Sequence, residues 1–365
     1  MIENWVAPIL SRELNRDSWS ADQVGGCIRA HFEALPPLEE ARVALLGIAV
    51  EAAEAVRRAL YPLSFPFKRL QVVDLGNVRK EEPDFWAPLV RELLDSKICP
   101  ILIGADEDCL AGHFHAQGDN LKDLHGVVVS RRIAVGHADD RRNWAAPLFQ
   151  SRSKELAQLC FLGVQAHWLP PSLQRQVERR GFEWLSLGAL RKNIEEAEPL
   201  LRDADFVAFH AAALKGNEMP AVQQPAPGGF LLEEACQLLR YAGLSDKLGS
   251  LSLFGYRAER DQNGFSAQGL AQMIWYFLDG FHHRKNDYPV SQNSLIEYVV
   301  DFKNHDFQLS FWKSQKSGRW WMEIPKHLSS PPRHALIPCT YEDYLQACNE
   351  DLPNRLWKAL KRLEK

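Results

Sequence analysis

The feature that most constrains this fold is a series of eight short, nearly continuous apolar runs separated by longer amphipathic segments. Strands of a parallel sheet that is buried on both faces have such runs, and the helices that connect them have the intervening pattern. The sequence therefore predicts a three-layer α/β/α body with an eight-stranded, mainly parallel sheet, and a closed barrel is the less favoured alternative. The runs lie at residues 42–50, 70–76, 99–104, 126–135, 159–164, 182–187, 205–214 and 249–256.

The pattern changes near residue 290. Residues 294–325 alternate in the manner of three antiparallel strands, with turn residues near Lys303 and at Ser317–Gly318. The last 26 residues, 340–365, have a helical pattern that Pro353 interrupts. These patterns predict a body over residues 1–290, in which 1–40 form an N-terminal helical segment, and a C-terminal β-hairpin and helix appendage over 291–365.

Composition excludes several classes of function. The 365 residues carry a formal net charge of −4, so no overall basic field favours nucleic acid or an anionic membrane. Seven dispersed cysteines are typical of reduced thiols, and no apolar run reaches the roughly 20 residues that span a bilayer. The N-terminus lacks the pattern of a signal peptide. We expect a cytoplasmic protein that binds neither nucleic acid nor membrane.

Ligands of open α/β sheets bind at the carboxyl ends of the strands, and four such ends stand out here. They read "ILIGADED" (101–108), "VVVSRRIAV" (127–135), "FVAFHAAAL" (206–214) and "SLFGYRAERD" (252–261). With "PAPGGF" (225–230), their order and spacing resemble the ureohydrolase superfamily of arginases, agmatinases and formimidoylglutamases over roughly residues 40–290. Residues 228–250 and 271–289 most resemble the formimidoylglutamase-like branch of Bacteroidetes. The resemblance implies an arginase-like fold.

The same resemblance implies three metal-binding motifs, but this chain has other residues in them. The family motifs Gly-Gly-Asp-His, Asp-Ala-His-x-Asp and Ser-Phe-Asp-x-Asp are here Gly-Ala-Asp-Glu, Ser-Arg-Arg-Ile-Ala and Ala-Phe-His-Ala-Ala. None of the six family ligands is kept. The six positions, which we call the degenerate metal-site positions, are Glu107, Ser130, Arg132, Ala134, His210 and Ala212.

These substitutions predict that the family's two manganese ions are absent. A dinuclear Mn²⁺ site needs oxygen and imidazole ligands that converge on both ions, and Ser130, Ala134 and Ala212 cannot replace bridging carboxylates. Without the metals, no bound water is activated for attack on an amidine carbon. The sequence therefore favours a pseudoenzyme that acts as a binding or scaffold protein, with no catalytic residue and no cofactor.

Two alternatives remain open. The first is a formimidoylglutamase/arginase-type hydrolase of linear amidines with an atypical metal site, for which Glu107 and His210 are the remaining ligands. The second is a sensor that binds a small metabolite in the old active-site pocket. The possible pocket contacts are Asp106, Asp108, Arg131 and Arg257.

A specific pairing is also predicted within the old metal site. In a strand over 126–135, alternation directs Ser130, Arg132 and Ala134 toward the cavity and Arg131 away from it. The Arg132 guanidinium would then occupy the vacated metal space and pair with Glu107. One positive and one negative charge would replace the balance of dications and carboxylates that the family site has.

The resemblance also bears on partners. Genes of the Bacteroidetes branch often lie near genes of type IX secretion and gliding, which suggests a protein partner from those systems. Family members often form trimers or hexamers, so a homo-oligomer is expected as well. The tryptophan-rich hairpin around "KSGRWW" (316–321) is the first candidate for the binding surface.

Overall fold

The eight predicted apolar runs all form parallel strands of one central sheet. The computed structural model describes residues 2–105, 109–118, 124–134, 158–302, 307–324 and 336–363. The strand order is β1-β4-β3-β5-β10-β9-β6-β7-β8, with β2 beside β4 and only β1 antiparallel to its neighbour. In chain order the strands are β1 Val6–Ala7, β2 Arg29–Ala30, β3 Val43–Gly47, β4 Val72–Val78, β5 Cys99–Ala105, β6 His125–Val129, β7 Gln158–Val164, β8 Glu183–Ser186, β9 Phe206–His210 and β10 Ser250–Phe254.

Helices cover both faces of this sheet, so the predicted three-layer α/β/α architecture is confirmed. Every residue of β3 and of β10 is buried, as a sheet with two covered faces requires. One apolar core lies under the helices Val50–Leu60, Leu187–Lys192, Ala197–Arg202, Leu232–Leu244 and Phe265–His282. The opposite core lies under the helices Pro83–Asp95, Cys109–His115 and Pro171–Arg180.

A fully buried arginine joins the helix Val50–Leu60 to β4. Arg57 donates from Nε and Nη2 to the two carboxylate oxygens of Asp74, each at 2.9 Å. It also donates to the Asn77 side chain at 2.7 Å and to the Gly76 carbonyl at 2.6 Å. The Tyr61 hydroxyl donates to Asp74 at 3.0 Å. This charge-assisted network fixes the helix on the edge of the sheet near the carboxyl end of β4.

The N-terminal segment differs in part from the predicted helical segment. Apart from the short helix Val24–Cys27 it contains brief 3₁₀ turns and the two short strands β1 and β2. Backbone N–H groups of Leu10 and Ser11 donate to Glu54 on the helix Val50–Leu60. The strands β1 and β2 pair with the backbone of β4, whose outer edge would otherwise have unpaired N–H and C=O groups. These strand hydrogen bonds take the place of the helical ones that the sequence predicts.

The C-terminal appendage is a second, antiparallel sheet with the order β11-β12-β13-β14, followed by two helices. Its four strands are β11 Leu295–Phe302, β12 Phe307–Ser314, β13 Trp320–Glu323 and β14 Leu336–Cys339. The sequence indicates only three of them, because β14 is four residues long and contains Pro338. The helices Tyr341–Cys348 and Asn354–Leu363 flank Pro353, which confirms the predicted interruption.

Within the described ranges, the helices are too short or too polar to cross a bilayer. The cysteines described there, which are Cys27, Cys99, Cys160, Cys236, Cys339 and Cys348, are free thiols.

Candidate functional site

The four strand ends singled out in the sequence meet at one edge of the sheet. Strands β5, β10, β9 and β6 are consecutive neighbours. Phe254 at the end of β10 pairs with Ala105 on one side and with His210 on the other. Val129 at the end of β6 pairs with Phe209. Those degenerate metal-site positions that the structure describes therefore lie around the carboxyl ends of four adjacent strands. Their correspondence to metal ligands of the ureohydrolase superfamily stays a prediction.

His210 has a fixed position at this edge. Its Nδ1 accepts a hydrogen bond from the Ala212 backbone N–H at 2.9 Å, which places the proton of the neutral ring on Nε2. The ring packs edge-on against Phe254 with centroids 4.7 Å apart. A Cβ on Gly255 would lie 2.5 Å from His210 Cε1, and Gly255 has φ of +81°, so a glycine is required there. The imidazole is thus held by backbone and packing contacts.

The two arginines after β6 do not follow the predicted alternation. The strand ends at Val129, so the chain has left the extended conformation before it reaches Arg131 and Arg132. Arg131 is only 6% exposed and donates from Nη1 to the Gln224 carbonyl at 2.8 Å, whereas Arg132 is half-buried. The strand alternation therefore does not apply to these two arginines, and the prediction that Arg132 faces the cavity while Arg131 points away from it stays a prediction.

The remaining predicted positions divide into two groups. Ser130 and Ala212 are buried, and Ala134 is half-buried. Asp106, Glu107 and Asp108 lie outside the described residues, and so does the predicted pairing of Glu107 with Arg132. In the part of the chain that the structure describes, no three His, Cys, Asp or Glu side chains are grouped so that they could hold a metal ion.

A cleft that sequence reasoning missed lies beside these strand ends. It has a volume of 590 Å³ and receives Arg257, which follows β10 and lies near Gly104. Four glutamates line the same cleft as this arginine, and a second cleft of 610 Å³ shares Glu51 and Glu259 with the first. The glutamates of the first cleft are Glu51, Glu81, Glu82 and Glu259.

Three of these glutamates follow the carboxyl ends of β3 and β4, which are two further strand ends where a ligand site is expected in an open α/β sheet. Glu51 lies in the first turn of the helix that follows β3, and Glu81 and Glu82 precede the helix that follows β4. Tyr256 lines both clefts and donates to Asp261 at 2.8 Å; burial, with Asp261 beside it, raises the pKa of its hydroxyl. The arrangement can bind a ligand with cationic groups and one anionic group.

A histidine beside the first motif has a structural role. His113 is fully buried, and its two ring nitrogens lie 2.9 Å and 2.8 Å from the hydroxyls of Ser252 and Ser250 on β10. Burial lowers the pKa of His113 from 6.5 to about 3, so the ring stays neutral. It is a satisfied core residue.

Comparisons with known proteins agree with this fold. No family model matches the chain. A formimidoylglutamase of Citrobacter koseri is 23% identical over 284 residues, which cover 67% of this chain and 88% of that protein.

Solved structures of the same superfamily align with most of the chain. A formiminoglutamase of Trypanosoma cruzi with Mn²⁺ superposes with a TM-score of 0.60 at 18% identity, over 69% of this chain and 97% of that one. A formimidoylglutamase of Bacillus subtilis gives 0.57 at 16% identity, over 66% and 87%. The agmatine ureohydrolase of Thermoplasma volcanium gives 0.53 at 16% identity, over 74% and 97%. The chain therefore has the arginase-like fold, and its relatives and structural neighbours are arginase-superfamily proteins.

Proposed function

Starting from this arginase-like fold, we propose that the chain is a non-catalytic member of its fold class that acts as a binding or scaffold protein. The observation that carries the proposal is the donor set at the carboxyl edge. Ser130, Arg132, Ala134 and Ala212 stand where the resemblance implies metal ligands, and none of them has a carboxylate or an imidazole.

These residues do not fit a pair of manganese ions. Each ion needs several hard oxygen or imidazole donors, and shared carboxylates must bridge the two. Methyl groups at positions 134 and 212 supply no donor, and His210 uses Nδ1 to accept a backbone N–H, which leaves Nε2 as its one possible ligand atom. The predicted position of the Arg132 guanidinium in the cavity would add positive charge where two dications would have to bind.

The second candidate is a hydrolase of linear amidines with an atypical metal site, and the comparisons favour it. The curated relative and the structural neighbours carry the names of formimidoylglutamases and an agmatine ureohydrolase. Such a site would take its ligands from His210 together with residues outside the described part of the chain, such as Glu107 and Asp108, which come shortly after β5 in the sequence.

The third candidate is a metabolite sensor, and the mixed charge of the cleft favours it. Glu51 and Glu259 can pair with a guanidinium or amine, while Arg257 can pair with a carboxylate. A ligand that binds the folded state raises its melting temperature by mass action. Thermal-shift screening with arginine, agmatine and glutamate therefore separates a sensor, which one compound stabilises, from a scaffold, which none stabilises.

Metal content is the decisive measurement between the first two candidates. Protein expressed in manganese-supplemented medium and purified without chelators should contain less than about 0.1 metal ion per chain, since ligands that cannot converge bind weakly. It should also release no product from linear amidines. A stoichiometric metal ion together with amidine hydrolysis would refute the proposal and establish the hydrolase.

Partners stay part of the proposal. A protein partner, with components of type IX secretion or gliding as the first group to test, is expected to co-purify from the native host. The tryptophan hairpin is a smaller target than expected, because Trp320 and Trp321 are 7% and 1% exposed. Homo-oligomerisation is open to a direct measurement by light scattering.

A further inference from the structure

The junction between the body and the C-terminal appendage contains four charged residues, of which Arg202 and Asp287 are buried and Glu198 and Arg319 are half-buried. Glu198 and Arg202 lie on the helix Ala197–Arg202, Asp287 lies in the connection to β11, and Arg319 immediately precedes β13. We call these four residues the junction cluster. Glu198 contacts both arginines, with 3.2 Å from Oε2 to Arg202 Nη2 and 3.4 Å from Oε1 to Arg319 Nε. Arg319 Nη1 lies 3.9 Å from Asp287 Oδ1.

Arg202 reaches from the body into the appendage. It is 3% exposed, its guanidinium carbon lies 4.5 Å from the ring centroid of Trp321, and Nη2 donates to the Cys339 carbonyl at 3.1 Å. Arg319 reaches the other way and donates to the Leu244 carbonyl at 3.0 Å. Each unit therefore inserts one arginine into the other.

The junction cluster is only partly satisfied. Its buried atoms without a hydrogen-bond partner are Nε and Nη1 of Arg202, Nη1 of Arg319, Oε1 of Glu198 and Oδ1 of Asp287. Burial lowers the pKa of Arg202, an effect that Glu198 opposes. Buried polar atoms that lack partners cost free energy, and they regain water when the surfaces separate.

The apolar cores of the two units do not merge. The residues of the third core, among them Phe302, Leu309, Phe311 and Met322, all come from the appendage, and both body cores consist of body residues. Separation therefore exposes Trp321 and the junction cluster and breaks the ion pairs of Arg355 with Glu196 and of Lys358 with Glu183, but it divides no apolar core. Polar interfaces between units that have their own cores permit relative motion.

We propose that the appendage is a strap, closed on the body through the junction cluster with Glu198 as the residue that holds it, and that it opens as a folded unit. Glu198 has this role because it is the one carboxylate of the cluster that contacts both inserted arginines. Its loss leaves Arg202 and Arg319 close together, with Asp287 as the remaining carboxylate of the junction cluster. This inference is independent of whether the carboxyl edge binds metal.

Hydrogen–deuterium exchange of the full chain tests the strap. Glu198→Gln should exchange at least tenfold faster than the wild type in β13, β14 and the helix Ala197–Arg202. Strands β3, β5 and β10 should stay within twofold of the wild type. The matched control is Glu195→Gln, three residues earlier, where the glutamate is exposed and outside the junction cluster; it should stay within twofold throughout.

Two results would overturn the proposal. In the first, Glu198→Gln exchanges like the wild type at the junction, which would mean that Glu198 does not hold the strap. In the second, the body strands exchange as fast as β13, which would mean that the units do not separate as folded bodies. The double variant Glu198→Gln/Arg319→Gln removes one charge of each sign and should return exchange to within threefold of the wild type. A double variant as fast as the single one would refute charge balance as the cause.

Discussion

Two buried arginines, Arg57 in the body and Arg202 at the junction, have the same chemistry and different surroundings. Arg57 is fully buried, and its Nε, Nη1 and Nη2 atoms all donate hydrogen bonds, two of them to Asp74. Arg202 is almost as buried, yet its Nε and Nη1 have no hydrogen-bond partner. A charge that is completely paired fixes one arrangement, whereas a charge that is partly paired leaves the open state close in free energy.

The Arg57 network and the junction cluster differ in whether they can open while the rest of the chain stays folded. The Arg57 network joins a helix to a strand within one apolar core, so it cannot open without unfolding. The junction cluster lies between separate cores, so it can. We expect the buried polar groups of the body to determine global stability and those of the junction to have little effect on it.

The largest effect is expected for Asp74→Ala. The substitution leaves the fully buried Arg57 without its charge partner and should lower the free energy of unfolding by about 3–5 kcal/mol. Urea denaturation at pH 7 measures it. The control is Glu40→Ala, because Glu40 is exposed and pairs with the exposed Arg29 at 3.6 Å; it should cost less than about 1 kcal/mol. Equal costs for the two variants would contradict the comparison.

For the two arginines after β6, substitution of the more buried one should lower the free energy of unfolding more. Arg131→Met removes a buried, charge-assisted hydrogen bond to the Gln224 carbonyl and should cost about 1.5–3 kcal/mol. Arg132→Met, at a half-buried position, should cost at most about 1 kcal/mol. Urea denaturation of both variants checks the order, and a larger cost for Arg132→Met would show that Arg132 is the residue that holds this edge.

His113 is a buried group that stays neutral, so its contribution to stability should depend on pH. Its pKa is about 3 in the folded chain and near 6.5 when unfolded, so below pH 6.5 the unfolded state binds a proton that the folded state does not. The stability that His113 contributes is complete above pH 6.5 and falls by about 1.4 kcal/mol per pH unit as the pH decreases toward 3.

Unfolding free energies at pH 7 and pH 5.5 show this dependence. His113→Gln should lose the corresponding part of the slope, and His115→Gln, at an exposed position, should keep it. A slope that His113→Gln leaves unchanged would assign the pH dependence to other groups.

The smallest effect on the body is expected for Glu198→Gln. Because the strap can open and hydrate its charges, the unfolding transition of the body should stay within about 0.5 kcal/mol of the wild type, as for a surface substitution. Near-ultraviolet circular dichroism during urea denaturation follows it. A cost similar to that of Asp74→Ala would show that the junction and the body unfold together.

The strands were predictable because a strand that is buried on both faces needs apolar residues at nearly every position. All eight runs are strands, although the run at 126–135 ends as a strand at Val129 and the run at 205–214 ends at His210. These earlier strand ends affect the candidate site, because its residues lie at or beyond the points where the strands stop. Arg131 and Arg132 lie beyond the strand, where the period of two no longer assigns a side chain to a face.

Local patterns can indicate single glutamates at strand ends, but they cannot predict that these glutamates share a cleft or that the two units meet at the junction. Glu51 and Glu259 come from segments that are far apart in sequence, and only the neighbouring positions of β3, β5 and β10 bring them together. Likewise, nothing in the local sequence "LLRDADF" (200–206) indicates that Trp321 lies against the Arg202 guanidinium.

The sequence by itself determined the layer architecture, the change of pattern near residue 290 and the residues that stand at the degenerate metal-site positions. Each of these depends on local periodicity or on residue identity, both of which can be read without coordinates. The tertiary structure alone decided which buried charges are satisfied, because a hydrogen bond depends on where distant segments meet. It placed Asp74 on Arg57 and left Arg202 with unused donors at the junction, and that difference separates the fixed part of this molecule from the part that we propose can open.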